Sequence, residues 1–135
     1  RRGRALAARG AGRNRRGGVT QEEAGGGLEE ARDVVVVLVA CPDEESAGSI
    51  ARALVEERLA ACVSATADVR SVYRWRGGVQ QAAERLLVVK ARAERLDALA
   101  ARVVELHPYE IPEILALPVS RGLGPYLEWV RADGG

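Results

Sequence analysis

The chain has 135 residues and a net charge of +1, with 47% apolar residues, which suits one domain with a real core. No run of about 18 apolar residues occurs, which excludes a helical membrane span, and two cysteines exclude a disulfide scaffold. The charge is uneven: residues 1–32 carry eight Arg and four Glu, net +4, whereas residues 33–135 carry eleven Arg, one Lys and fifteen acids, net −3, so no nucleic-acid partner is expected for the second part.

Residues 1–32 combine Arg and Gly with few large apolar groups, too few to offset the entropy of ordering them, and are expected to be a disordered tail. A solvated extension, an organelle-targeting segment and a nucleic-acid tether are all open readings of it. The last is weakened by the lack of interleaved aromatics. No secretory h-region precedes the first strand, so the cytoplasm is the expected compartment, with organelle targeting by the tail left open.

Residues 33–41 (DVVVVLVAC) are β-branched and almost wholly apolar, the pattern of a central strand covered on both faces. Pro42 ends it, and Asp43, Glu44 and Glu45 place negative charge at the start of a helix. Ala47, Ile50, Ala51, Leu54, Arg58 and Ala61 follow helical spacing, which predicts a helix over about 44–60. Residues 61–76 show no helical stripe and read as extended, and Gly77-Gly78 marks a hairpin turn. The returning strand is LLVVKA at 86–91. Leu96, Leu99, Val103 and Leu106 line one side of a helix over 94–106, which His107-Pro108 stops. A fourth strand is expected at 114–119 and a short helix at about 125–131, with Pro125 in its first turn.

The order β-α-β-β-α-β with right-handed crossovers predicts an α/β (α+β) ferredoxin-like sandwich: a four-stranded antiparallel sheet, two helices on one face, and a terminal helix. The other face carries apolar side chains with no helix to cover it. Burial against further copies is the expected solution, with the long hairpin protruding from the body.

The strings CPDEESA (41–47), ALVEERLAACV (53–63), SVYRW (71–75), LLVVKAR (86–92), ELHPYEIPEILALPV (105–119) and YLEWV (126–130) together resemble the CutA family of divalent-cation tolerance proteins. The resemblance covers about 100 residues, placing a CutA-like domain at 33–135, and implies a tight homotrimer whose hairpins pair between subunits. It further implies a role in tolerance of copper or other divalent metals, with a protein partner possible, and a likeness to PII signalling trimers at the level of fold alone. The chain departs from the family at Ser64, where Asn is usual. It departs again at residues 76–83, which hold no acid, and at Leu106 and Val39, where some copper-binding members carry His and Cys.

His107 is the only histidine, and capping of the helix end, metal ligation and small-ligand contact are all open to it. Cys41 and Cys62 are the soft metal donors, and each also reads as a buried thiol in apolar strand sequence. Copper or another divalent metal needs three or four ligands, so these three residues would have to converge or be shared between copies. Tyr109, Glu110 and Glu113 follow the histidine, and the two acids could pair with Arg74, Lys90 or Arg92 or bind a cation. Lys90 interrupts an apolar strand and is expected to reach an acid or an anion at an interface. Tyr73, Trp75, Tyr126 and Trp129 read as interface and core anchors. No nucleophile elbow, phosphate loop, dinucleotide fingerprint or zinc-protease motif is present, and the expectation is a protein that is not an enzyme.

Overall fold

Val34–Cys41 occupies the middle of the main sheet, as its unbroken apolar run requires. The computed structural model describes residues 27–134; most of the expected tail lies outside the described residues. The elements in chain order are β1 (Leu28–Glu30), β2 (Val34–Cys41), α1 (Glu44–Glu56), β3 (Cys62–Trp75) and β4 (Gly78–Arg92), then, after a 3-10 turn at Ala93–Arg95, α2 (Leu96–Leu106), β5 (Ile114–Pro118), β6 (Arg121–Leu123) and α3 (Gly124–Arg131). The main sheet has the order β3-β4-β2-β5 with antiparallel neighbours throughout, which is the ferredoxin-like arrangement.

Asp43 sets the start of α1: its Oδ1 accepts the Ser46 N–H at 2.8 Å. The helix ends at Glu56, four residues before the predicted limit, because Arg58 enters the left-handed region at φ 60 and Leu59 and Ala60 turn their N–H groups back to the Leu54 carbonyl. Helices α1 and α2 pack on one face of the sheet. Val35, Val37, Val39 and Cys41 of β2 and Leu87, Val89 and Ala91 of β4 meet Ile50, Leu54, Leu99 and Val103 there. Each large aliphatic side chain so buried stabilises the fold by about 1.5–3 kcal/mol before entropy is counted.

On the opposite face α3 covers one end, where Val34, Ala61, Leu127 and Val130 form a second small core. The rest is uncovered: Val36, Leu38, Leu86 and Val88 are half-buried, and Leu115 and Leu117 are 57% and 45% exposed. This is the open apolar face that the element order implied.

Strand β4 begins at Gly78, eight residues before the predicted strand, because 78–85 pair along β3 into a long arm. The turn is Arg76-Gly77, one residue earlier than the glycine pair suggested, with φ of 50 and 81. Two consecutive positive φ values make the tight hairpin whose twist matches the strands. Between Ala65 and Asp68, β3 carries one residue more than β4, and Thr66 Oγ1 accepts the Leu86 N–H at 3.0 Å across the irregularity.

Two elements have no counterpart among the predicted ones. Leu28–Glu30 lies within the expected tail but pairs antiparallel with Arg121–Leu123 as a two-stranded ribbon. The domain therefore starts before Asp33, because Ala31 is buried in the second small core.

Candidate functional site

His107 sits at the end of α2 and is 7% exposed. Its Nδ1 accepts the Tyr109 N–H at 3.0 Å, so the ring proton belongs on Nε2, which donates to the Ala40 carbonyl at 2.7 Å. The ring thus ties the end of α2 to β2 and caps no helix carbonyl. With both nitrogens engaged, neither offers a free lone pair to a metal.

Cys41 is fully buried in the core beneath the helices. Burial, followed by the charges of Asp43 and Glu84, pushes its thiol up to about 11, which suppresses the thiolate that binds metal. Cys62 is half-buried on the other face of the sheet, directly across from Lys90 on β4. The two cysteines are therefore separated by the sheet itself. The structure brings His107, Cys41 and Cys62 to three different surroundings, and among the described residues no group of three His, Cys, Asp or Glu side chains could hold a metal ion. The described residues of a single chain do not fit a copper or zinc centre.

Two smaller arrangements remain. The Tyr109 hydroxyl donates to Glu84 Oε2 at 2.9 Å, and burial together with this carboxylate pushes it up to about 12. Its ring leans on that of His107, with centroids 4.9 Å apart. On the open face, Lys90 Nζ donates to Ser64 Oγ at 2.8 Å and to the Val88 carbonyl at 3.3 Å. Tyr126 stands on α3, which packs against Ala61, and its hydroxyl is pushed up by burial and then by the Cys62 thiol; its ring stands 5.6 Å from that of Trp129.

The ion pairs suggested for the loop do not form within the chain. Glu110 and Glu113 are exposed. Arg92 instead grips Asp133 with two hydrogen bonds, of 3.1 and 2.9 Å, and reaches Glu94. Trp75, 58% exposed near the arm tip, carries the Arg76 guanidinium 5.5 Å from its ring, and Tyr73 beside it is 45% exposed. Trp129 packs partly buried against the second core. The contacts missed in the sequence are the Ala40 carbonyl and Asp133. A backbone acceptor leaves no sequence signal, and Asp133 stands out only as an acid beyond the last helix.

The family model described as CutA1 divalent ion tolerance protein matches residues 35–133. A protein of Thermus thermophilus, Divalent-cation tolerance protein CutA, is 50% identical over 100 residues, which is 74% of this chain and 97% of that protein. Human Protein CutA is 45% identical over 98 residues, 73% of this chain but 55% of the human protein, so the match spans about half of that relative. The crystal structure of CutA from Xylella fastidiosa superposes with a TM-score of 0.74 at 42% identity, covering 76% of this chain and 99% of that one.

Proposed function

The chain belongs to the CutA1 divalent ion tolerance family, and from that premise we propose that it supports tolerance of copper or another divalent metal as a cytoplasmic homotrimer, without catalysing a reaction. The observation that carries the assembly is the uncovered face of Val36, Leu38, Val88, Leu115 and Leu117, too apolar to stand in water. Metal held by such an assembly belongs between copies, because one chain offers no complete donor set among the described residues. Cys62, half-buried on that face, is the soft donor a second copy can approach; Cys41 and His107 are sealed by burial and hydrogen bonds. Native mass spectrometry of the full chain under reducing conditions, with and without copper, tests this. A trimer that takes up a fixed number of copper ions, and loses them in Cys62→Ser, supports it. A metal-free trimer leaves only the assembly standing, and a monomer sinks both parts.

A second reading is a trimeric signalling or scaffold protein that takes a small anion or a protein partner at the clefts between subunits. Lys90 favours it: its ammonium stands on an apolar face with a hydroxyl and a carbonyl as partners, and no carboxylate within ion-pair distance among the described residues. A thermal-shift screen with nucleotides and carboxylates should then give a hit that survives replacement of both cysteines and is lost in Lys90→Gln.

A further inference from the structure

Strand β1 lies outside the segment that the family model matches, which begins at residue 35, yet it is built into the fold. Leu28, Glu29 and Glu30 pair with Leu123, Gly122 and Arg121. The Arg121 guanidinium donates to the Leu28 carbonyl at 3.3 Å, and the Ala31 N–H donates to the Ser120 carbonyl at 3.1 Å. Ala31 is fully buried against Val34, Ala61, Leu127 and Val130, the small core that seats α3.

The start of α3 shows what the strand contributes. The helix begins at Gly124, and Leu123 at its N-cap offers no side-chain acceptor. A helix start leaves backbone N–H groups without partners and carries positive partial charge. Here the Gly27 carbonyl accepts the Gly124 N–H at 2.6 Å. The Glu29 carboxylate lies so close that a Cβ on Gly124 would sit 2.5 Å from its Oε2. Strand β1 and the Gly27 that precedes it thus supply both the missing acceptor and the favourable charge. At the far end, Arg131 holds Asp33 through contacts of 2.6 and 3.1 Å.

We infer that residues 27–32 form a clasp that holds α3 down over one end of the open sheet face, and that releasing it loosens α3 while the main sheet stays intact. A three-residue, two-stranded ribbon is marginal by itself, so its opening is a local event well below the free energy of global unfolding. Because α3 packs on Ala61, the residue before Cys62, the clasp also governs how much of that face is covered.

Hydrogen exchange on the full chain tests this. Glu29→Pro removes a strand N–H and the carboxylate together, and exchange should rise about tenfold or more at Gly124 and along residues 126–131, with β2 and α1 unchanged. Should that variant fail to fold, Glu29→Gln keeps the strand and removes only the charge; about threefold faster exchange confined to the first turn of α3 is then expected. Unchanged exchange in α3 would overturn the inference. So would acceleration of α3, β2 and α1 together, which would make β1 part of the global core.

Discussion

The ring of His107 bridges segments 67 residues apart, its Nε2 proton directed at the Ala40 carbonyl at 2.7 Å. Removing it leaves that buried carbonyl and the Tyr109 N–H without partners. His107→Ala should therefore cost about 2–4 kcal/mol by urea unfolding, from lost hydrogen bonds and the cavity left behind. A variant that lost copper binding at unchanged stability would reverse this assignment and restore the histidine as a ligand.

The two thiols should differ sharply in reactivity. Cys62 is half-buried and Cys41 is fully buried with its thiol pushed up to about 11. Subunit dissociated from the assembly and treated with a maleimide near neutral pH should take one label within minutes, lost in Cys62→Ser, and the intact assembly should protect that thiol. The second label should appear only on unfolding.

Alkaline stability follows from the same thiol. The Cys41 value is 9.0 in the unfolded reference and about 11 in the fold, so the folded chain keeps its proton where the unfolded chain has lost it. Stability is complete below about pH 9 and declines as pH rises toward 11. Tyr109, raised from 10.0 to about 12, adds a loss of the same sign one unit higher. Urea midpoints measured across pH 8–11 should fall, and the fall should be shallower in Cys41→Ala.

Charge on the open face should undo self-association without unfolding the subunit. Leu115 and Leu117 are already 57% and 45% exposed, so glutamate at either position changes the free chain little. Leu115→Glu with Leu117→Glu should shift the assembly to monomer in light-scattering chromatography while leaving the far-ultraviolet circular dichroism intact. An unchanged oligomer would place the interface elsewhere.

Arg58 at φ 60 occupies a position that glycine takes at lower cost. A left-handed residue other than glycine costs about 1–2 kcal/mol, partly offset by the greater freedom glycine gives the unfolded chain. Arg58→Gly should raise the melting temperature by about 2–6 °C in calorimetry.

Much of the fold was legible because its signals are local. The apolar run of β2, the Asp43 cap and the 3.6-residue stripe of α2 each depend on neighbours in sequence. The end of α1 was not legible, since Arg58 does the work of the glycine that usually marks such a stop. The first half of β4, reading Gln80-Gln81-Ala82-Ala83, has no strand character of its own and is extended by pairing with β3. Strands β1 and β6, three residues each, are too short to show a period. For the site, the sequence supplied the residue types but not their separation: Cys41 and Cys62 lie on opposite faces of one sheet, and that parity is decided by tertiary register.

The extra residue between Ala65 and Asp68 acts as a phase shifter for the arm. Before it, Cys62 and Ser64 face the same way as Lys90 and Val88; beyond it, Val69, Tyr73 and Trp75 take over that side, opposite Glu84, Gln80 and Gly78. Deleting one residue there would restore a regular ladder with the same cross-strand partners, so both aromatics would keep their side and only the local bend and extra twist would be lost. Sequences that lengthen or shorten this arm must therefore change both strands together, or absorb the odd residue in an irregularity such as this one.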